Sequence, residues 1–325
     1  MTERKAWVTG ASGFFGGVMV RLLARAGWHV IGFAQQPDRA FALGAHYTIG
    51  GDITLAGTLS ALRDHGCPDL VFHAAGGSHV GCADVDPIKD FRRTVHSTAE
   101  LLHGLGMGGA VDAHIVYPSS AAVYGVQPPG PIAVAAATRP VSHYGWHKLG
   151  AELQCRQAVE RYELSITAVR FFSLYGEGLR KQLFWELAER LRKGDDRLEL
   201  AGTGEETRDY LHVEDAAALI LALPRPSKGT LALVNGGSAT ETTIAAAVTA
   251  FQRALGTAVP VTFTGVVRPY DPRHLCADMS GVNILGTQWN EPRPLEAGLL
   301  DYTDWLRVNS GVTDDGTGKP GTPTA

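Results

Sequence analysis

Cysteine is scarce in this chain and never clustered. Cys67, Cys82, Cys155 and Cys276 lie far apart in 325 residues, and no C-x-x-C pair occurs. That spacing argues against a disulfide framework and a structural zinc site, and suits a reduced cytosol. Long apolar runs are also missing. No stretch of about 18 apolar residues could span a bilayer, so no membrane partner is expected. The run after Thr2-Glu-Arg-Lys5 is too short for a signal-peptide core, and a cytoplasmic location is expected. Charge of one sign is not in excess: the net charge is −4, and Lys and Arg are scattered without a basic stripe or interleaved aromatics. Nucleic acid is therefore not an expected partner. Asp84-Val-Asp86 lacks the glycine and glutamate of a calcium loop. His143 and His147 are four apart, but no acidic third ligand stands near them in the sequence, so no metal is expected. Internal repeats are absent.

What is present is enough apolar residue, 45%, for one large α/β unit or two intimate domains. The most informative stretch is Lys5-Ala-Trp-Val-Thr-Gly-Ala-Ser-Gly-Phe-Phe-Gly-Gly17. It reads as a buried strand, a glycine-rich turn and the start of a helix. Gly10, Gly13 and Gly16 are three apart. One glycine permits the tight turn, one lets backbone N–H groups approach a pyrophosphate, and one lets helix and strand pack closely. The helix N-terminus adds partial positive charge where phosphates would lie.

Strand-length apolar runs at 6–9, 28–33, 47–49, 69–73, 111–117 and 165–172 alternate with helical periodicity at 14–26, 55–64, 87–105 and 141–162. Such alternation predicts an α/β fold, a doubly wound parallel sheet with both faces covered. Ligands in these sheets bind beyond the carboxyl ends of the strands. The Pro-, Gly- and Ala-rich loop 121–139 is expected to border the active site. After 172 the alternation loosens. Helices are expected at 181–193, 241–255 and 293–307, and short strands at 197–201, 230–234 and 259–264, forming a smaller lobe. The row Leu183, Phe184, Leu187 and Leu191 is expected to be lobe core. A helix over 213–223 returns to the first domain. The resulting division is residues 1–173 plus 207–228 for the first domain, 174–206 plus 229–308 for the lobe, and a tail, 309–325, poor in apolar residues and expected to be disordered.

Tyr144 and Lys148 occupy one face of the helix expected from residue 141. An ammonium near a phenol favours the phenolate, so Lys148 is expected to draw the Tyr144 pKa toward neutrality. Tyr144 then suits general acid–base work on a hydroxyl–ketone couple. Ser120, at the end of the fifth strand, can hydrogen-bond the same oxygen.

Thr9-Gly-x-x-Gly-x-x-Gly16, Asp52-Ile53, His73-Ala-Ala-Gly76, Ser119-Ser-Ala-Ala-Val-Tyr-Gly125 and Tyr144-x-x-x-Lys148 occur in that order. As a set they resemble the extended short-chain dehydrogenase/reductase family, in its nucleotide-sugar epimerase/dehydratase branch. Arg170-Phe-Phe-Ser-Leu-Tyr-Gly-Glu-Gly178, Gly202-Thr-Gly-Glu-Glu-Thr-Arg-Asp-Tyr210 and Arg268-Pro-Tyr-Asp271 extend the resemblance over about residues 5–307. The resemblance implies a Rossmann-type domain, a nucleotide-diphosphate sugar substrate and a homodimer. It implies Tyr144 as acid/base, Lys148 on the nicotinamide ribose, and Ser120 orienting the substrate hydroxyl, with Ser119 the fallback. It further implies an NAD(P) site at Gly10, Ser12, Gly13, Phe14, Phe15 and Gly16, at Asp52 and Ile53 beside the adenine, and at Ala74, Ala75 and Gly76. Substrate contacts are implied at Ser78, His79 and Ser173, with Arg208 and Arg268 on the diphosphate and Asp271 on the nucleoside side.

Departures from the branch pattern narrow the activity. Dehydratases carry Asp-Glu after the serines, and 3,5-epimerising reductases a Cys; here Ala121 and Ala122 stand there. Hydride transfer alone remains, which suits a 4-epimerase first and a 4-ketoreductase second, with a non-catalytic dinucleotide sensor as a remote alternative. The second strand ends at Ala34 where NAD-preferring members carry an acid, and Gln35, Gln36 and Arg39 follow. That leans the expected cofactor toward NADP over NAD, with Arg39 meeting the 2′-phosphate.

Overall fold

The structure, a computed structural model, describes residues 3–310 apart from 78, 267–271, 285, 286 and 288. The first half runs β1 (Lys5–Thr9), α1 (Phe14–Arg25), β2 (His29–Ala34), α2 (Pro37–Ala42), β3 (Tyr47–Gly50), α3 (Leu55–His65) and β4 (Leu70–His73). Next come α4 (Val80–Val85), α5 (Pro87–Phe91), a π-helical turn (Arg92–His96), α6 (Ser97–Met107), β5 (His114–Ser120), α7 (His143–Tyr162) and β6 (Ser165–Phe171). The remainder is β7 (Ser173–Tyr175), α8 (Gln182–Arg192), β8 (Leu198–Leu200), β9 (Thr207–His212), α9 (Val213–Ala222), β10 (Thr230–Gly236), β11 (Glu241–Thr243), α10 (Ile244–Leu255), β12 (Val261–Phe263), α11 (Ser280–Ile284) and α12 (Leu295–Ser310).

Seven parallel strands form the main sheet in the order β10-β6-β5-β4-β1-β2-β3. The order reverses at β1, which pairs β2 on one side and β4 on the other. In β1, Ala6 and Val8 join a core with α1 and α9, while Trp7 joins a core with α3, α6 and α7 on the opposite face. Both faces are therefore covered, and the doubly wound expectation holds. The crevice at the β1–β4 switch opens at the carboxyl ends, where such sheets hold ligands.

A third core belongs to the lobe. Phe184 and Leu187 of α8 pack with Phe251 of α10 and Tyr302 of α12, and Leu183 and Leu191 lie at its edge. Two small sheets, β11-β9-β7 and β12-β8, frame it.

Some expectations change. The strand at 230–234, assigned to the lobe, is β10 and closes the main sheet, paired with β6 from Thr230↔Ser165 to Gly236↔Phe171. Its apolar alternation marks a strand but not which sheet receives it, and α9 carries the chain back to the large domain. The helix expected over 87–105 contains the π turn Arg92–His96. An extra residue in a helical turn re-aims its neighbours, and here Arg92, Arg93 and His96 all reach the cavity. The loop 121–139 does not line that cavity. It is pinned elsewhere, by Tyr124 Oη donating to Asn235 Oδ1 at 2.6 Å and by Ile132 bridging to Ala277. Of the expected tail 309–325, residues 309 and 310 are instead the end of α12, and the rest lies outside the described residues.

Candidate active site

A cavity of about 790 Å³ occupies the switch crevice and reaches under the lobe. Its floor is the glycine turn. Gly10 has φ +65°, and a Cβ there would lie 2.8 Å from the Ala74 carbonyl; one on Gly16 would lie 2.1 Å from the Gly10 oxygen. A side chain at either position would push α1 away from the strand ends. Gly13 caps α1 with no side-chain hydrogen bond. The helix N-terminus, with Ser12, Phe14 and Phe15, faces the cavity.

The wall after β4 is fixed by a buried chain of hydroxyls. Thr98 Oγ1 donates to the Thr94 carbonyl at 2.6 Å, so it accepts from His73 Nε2 at 3.0 Å. His73 Nδ1 is then the acceptor for Thr9 Oγ1 at 2.7 Å, and Thr9 Oγ1 accepts from the Ala75 amide at 3.0 Å. Burial, with the nearby Lys148 charge, pushes His73 down to about 3, so it stays neutral. Ala74, Ala75 and Gly76 are thereby held against the cavity. Beyond β2, Gln35 Nε2 donates to Asp52 Oδ1 at 2.9 Å, and both residues, with Ile53, line the same space. Arg39, on α2, is exposed and does not line it.

Ser119 and Ser120 end β5 but face different work. Ser119 is buried and donates to Glu152 Oε1 at 2.6 Å; Glu152 in turn holds Arg170 through bonds of 2.9 and 2.7 Å. Ser120 opens on the cavity and hydrogen-bonds Tyr144. Helix α7 starts here because Ser142 Oγ accepts from the Gly145 amide at 3.1 Å. It comes this close because Gly145 has no Cβ, which would sit 2.5 Å from the Ala122 oxygen. Lys148, one turn on, is buried and donates to the Pro118 carbonyl at 2.9 Å, with its Nζ 5.8 Å from the Tyr144 ring.

The expected depression of the Tyr144 pKa is not found. Burial outweighs the Ser120 hydrogen bond and pushes the phenol up to about 12, with Asp90 adding in the same direction. Lys148 is itself pushed down to about 8 by burial. Desolvation acts against the charged form of both groups, and proximity in sequence does not reveal it.

The expected substrate contacts divide. Ser120 and Tyr144 line the cavity; Ser173, His79 and Arg208 do not. His79 caps α4, its Nδ1 accepting from Cys82 at 3.4 Å, and Arg208 donates to the carbonyls of Thr207 and Pro272. Ser78, Arg268 and Asp271 lie outside the described residues. The sequence reading missed Lys181 and Gln182, which enter the cavity at the start of α8, and Lys89, Arg92 and Arg93 from the α5–π segment. Gln182 adopts φ +66°, an uncommon conformation for a residue with a side chain. No motif marked these positions, because a leucine row dominates the pattern of α8. The two helix histidines do find carboxylates, from distant helices: His143 meets Asp84 at 3.2 Å and His147 meets Asp90 at 2.5 Å. Among the described residues, no three or more His, Cys, Asp or Glu are grouped to hold a metal.

A glycine cradle without Cβ atoms, an uncapped helix N-terminus and a cavity within the usual small-ligand range of about 300–1,000 Å³ fit a dinucleotide. Fold and site thus define a dinucleotide-dependent α/β enzyme. Residues 6–232 match the model of the NAD dependent epimerase/dehydratase family, and the chain belongs to that family. UDP-glucose 4-epimerase of Azospirillum brasilense is 31% identical over 292 residues, covering 83% of this chain and 82% of its own. dTDP-L-rhamnose 4-epimerase of Burkholderia thailandensis is 25% identical over 346 residues, covering 93% of this chain and 95% of its own. The solved structure of MoeE5 in complex with UDP-glucose and NAD superimposes with a TM-score of 0.82 at 27% identity, over 94% of this chain and 99% of that one. No helix among the described residues is long and apolar enough to cross a membrane.

Proposed function

We propose that this protein is a nucleotide-sugar 4-epimerase acting through a transient 4-keto sugar. The observation that carries the reading is the convergence of Ser120, Tyr144 and Lys148 on the cavity, with alanines at 121 and 122. Tyr144 exchanges a proton with the sugar 4-oxygen, Ser120 orients that oxygen, and the Lys148 ammonium favours the phenolate while the proton is away. A bound nicotinamide would supply hydride exchange at sugar C4. Ala121 and Ala122 leave the two positions after Ser120 without the acid–base pair that dehydratases of the branch carry there. Lys181 and Gln182 are the cavity residues we assign to the anionic part of the substrate.

For the cofactor, the leaning toward NADP comes from Ala34 in place of an acid, with Arg39 as the cation for the 2′-phosphate. At the ends of β2 and β3 the cavity presents Gln35 bonded to the Asp52 carboxylate while Arg39 stays outside, a lining that suits a free ribose hydroxyl better than a 2′-phosphate. We therefore take NAD as the cofactor. A second copy of the chain is the proposed partner for the α7 face that leaves Trp146 and Leu153 exposed, which light scattering tests.

The test is to supply UDP-glucose and related nucleotide sugars and follow inversion at C4, together with mass analysis of cofactor released on denaturation. Inversion with retained NAD+ supports the epimerase. Net consumption of NADPH with a 4-keto sugar and no inversion replaces it with the ketoreductase. Absence of any turnover favours the sensor.

A further inference from the structure

Beside the proposed reacting groups lies a buried carboxylate that the reaction as described does not use. Asp90, in α5, is 5% exposed. His147, one residue before Lys148 and three after Tyr144, places Nδ1 2.5 Å from its Oδ2. The other oxygen packs over the backbone of Gly77 in the cavity wall, where a Cβ would lie 1.9 Å from it. The Phe91 ring meets the imidazole edge-on at 5.7 Å. Asp90 is thus clamped between the cavity wall and the first turns of α7.

Lys148 needs such a neighbour. Its one hydrogen-bond acceptor named above, the Pro118 carbonyl, is neutral. The titratable groups facing it are Lys181 before α8, Glu152, Cys155 and Tyr144 on its own helix, Tyr117 in β5, His73 in β4 and Asp90 in α5. Lys181 repels an ammonium. Tyr117 and Tyr144 are protonated, and burial holds the Cys155 thiol protonated as well. His73 is neutral. Glu152 already answers Arg170 through two bonds and accepts from Ser119. Asp90 is the remaining carboxylate, buried against the cavity wall at Gly77 and bonded to His147, the residue before Lys148 on α7.

We propose that Asp90, seated by His147, is a positioning residue for Lys148, supplying the countercharge that keeps its ammonium beside Tyr144. This rests on Lys148 belonging to the reacting set. Protein carrying [13Cε]lysine, with the Lys148 signal assigned by its loss in Lys148→Arg, is titrated by NMR without substrate. The expected result is a Lys148 midpoint lower by about one pH unit in Asp90→Asn and Asp90→Ser, as for loss of a nearby opposite charge. Asp90→Glu should restore it, and the alkaline limb of turnover should move with the midpoint. If neither neutral variant folds, Gly77→Ala displaces the carboxylate instead and should lower the midpoint the same way. An unchanged midpoint overturns the proposal, as does an equal shift in Asp90→Glu, which marks packing rather than charge. The titration needs no turnover, so its outcome stands apart from the sugar chemistry. An alkaline limb that ignores the midpoint would instead overturn the role of Lys148.

Discussion

The two walls of the cavity were built in different ways. On the cofactor side, Gly10, Gly16, Asp52 and Ala75 come from the carboxyl ends of β1, β3 and β4 in one parallel sheet. On the substrate side, the residues reaching the cavity are Lys181 and Gln182 at the head of α8, while Arg208 and Ser173 stay out of it. A parallel sheet brings every β–α turn to the same edge, so a motif at a strand end is a cavity residue almost by construction. A lobe attached by several crossings offers no such rule, and packing of its own core around Phe184 and Phe251 decides which side chains face in.

That contrast can be broken or sharpened by experiment. The largest effect is expected where the walls meet. Tyr144→Phe should lower turnover by about 100-fold or more, the usual scale of acid–base catalysis, while dinucleotide binding is retained; a near-wild-type rate would sink the mechanism. Acid stability comes next. His73 is pushed to about 3, and His114 and His212 to about 4, chiefly by burial. An unfolded imidazole protonates near pH 6.5, so full stability is present above that pH and is lost as pH falls toward the folded values. Urea unfolding at pH 7 and pH 5 should differ by about 1 kcal/mol or more per buried imidazole. Equal midpoints would show these rings charged in the fold.

Gly16→Ala tests the cofactor wall. Its Cβ would lie 2.1 Å from the Gly10 oxygen, and overpacking of about 1–3 kcal/mol should weaken NADH binding roughly tenfold, measured by fluorescence titration. Lys181→Met tests the substrate wall. Loss of a charged hydrogen bond, about 1.5–3 kcal/mol, should raise KM roughly tenfold with a smaller change in kcat; an unchanged KM would remove Lys181 from the site. The smallest effect belongs to Arg39→Ala. As an exposed residue outside the cavity it should change affinity for either dinucleotide by less than about twofold, within the scatter of surface substitutions. A large selective loss for NADP would restore the 2′-phosphate role.

Legibility followed the same division. The strands of the main sheet up to β6, the glycine turn and the Tyr144–Lys148 spacing were readable because each is set by local periodicity or by one backbone requirement, whereas the short elements α2, α4, β7, β9 and β11 were not. The placement of β10 was not, since Thr-Leu-Ala-Leu-Val would suit either sheet. Nor was the direction of the Tyr144 pKa, because the sequence shows a lysine four residues away but not the burial that outweighs it. The carboxylates that meet His143 and His147 were invisible for a similar reason, each arriving from a helix almost sixty positions earlier.

The amino-acid order alone determined that this chain would build a parallel sheet with a glycine-lined crevice at its switch point. Apolar period and the absence of a Cβ act over a few residues and need no distant partner. Only the tertiary structure decided which of Ser119 and Ser120 faces Tyr144, that Arg39 stays outside, and that Asp90 meets His147, the residue before Lys148. Those outcomes depend on burial and on the electrostatics of groups brought together from separate turns, quantities that exist only once the chain has closed on itself.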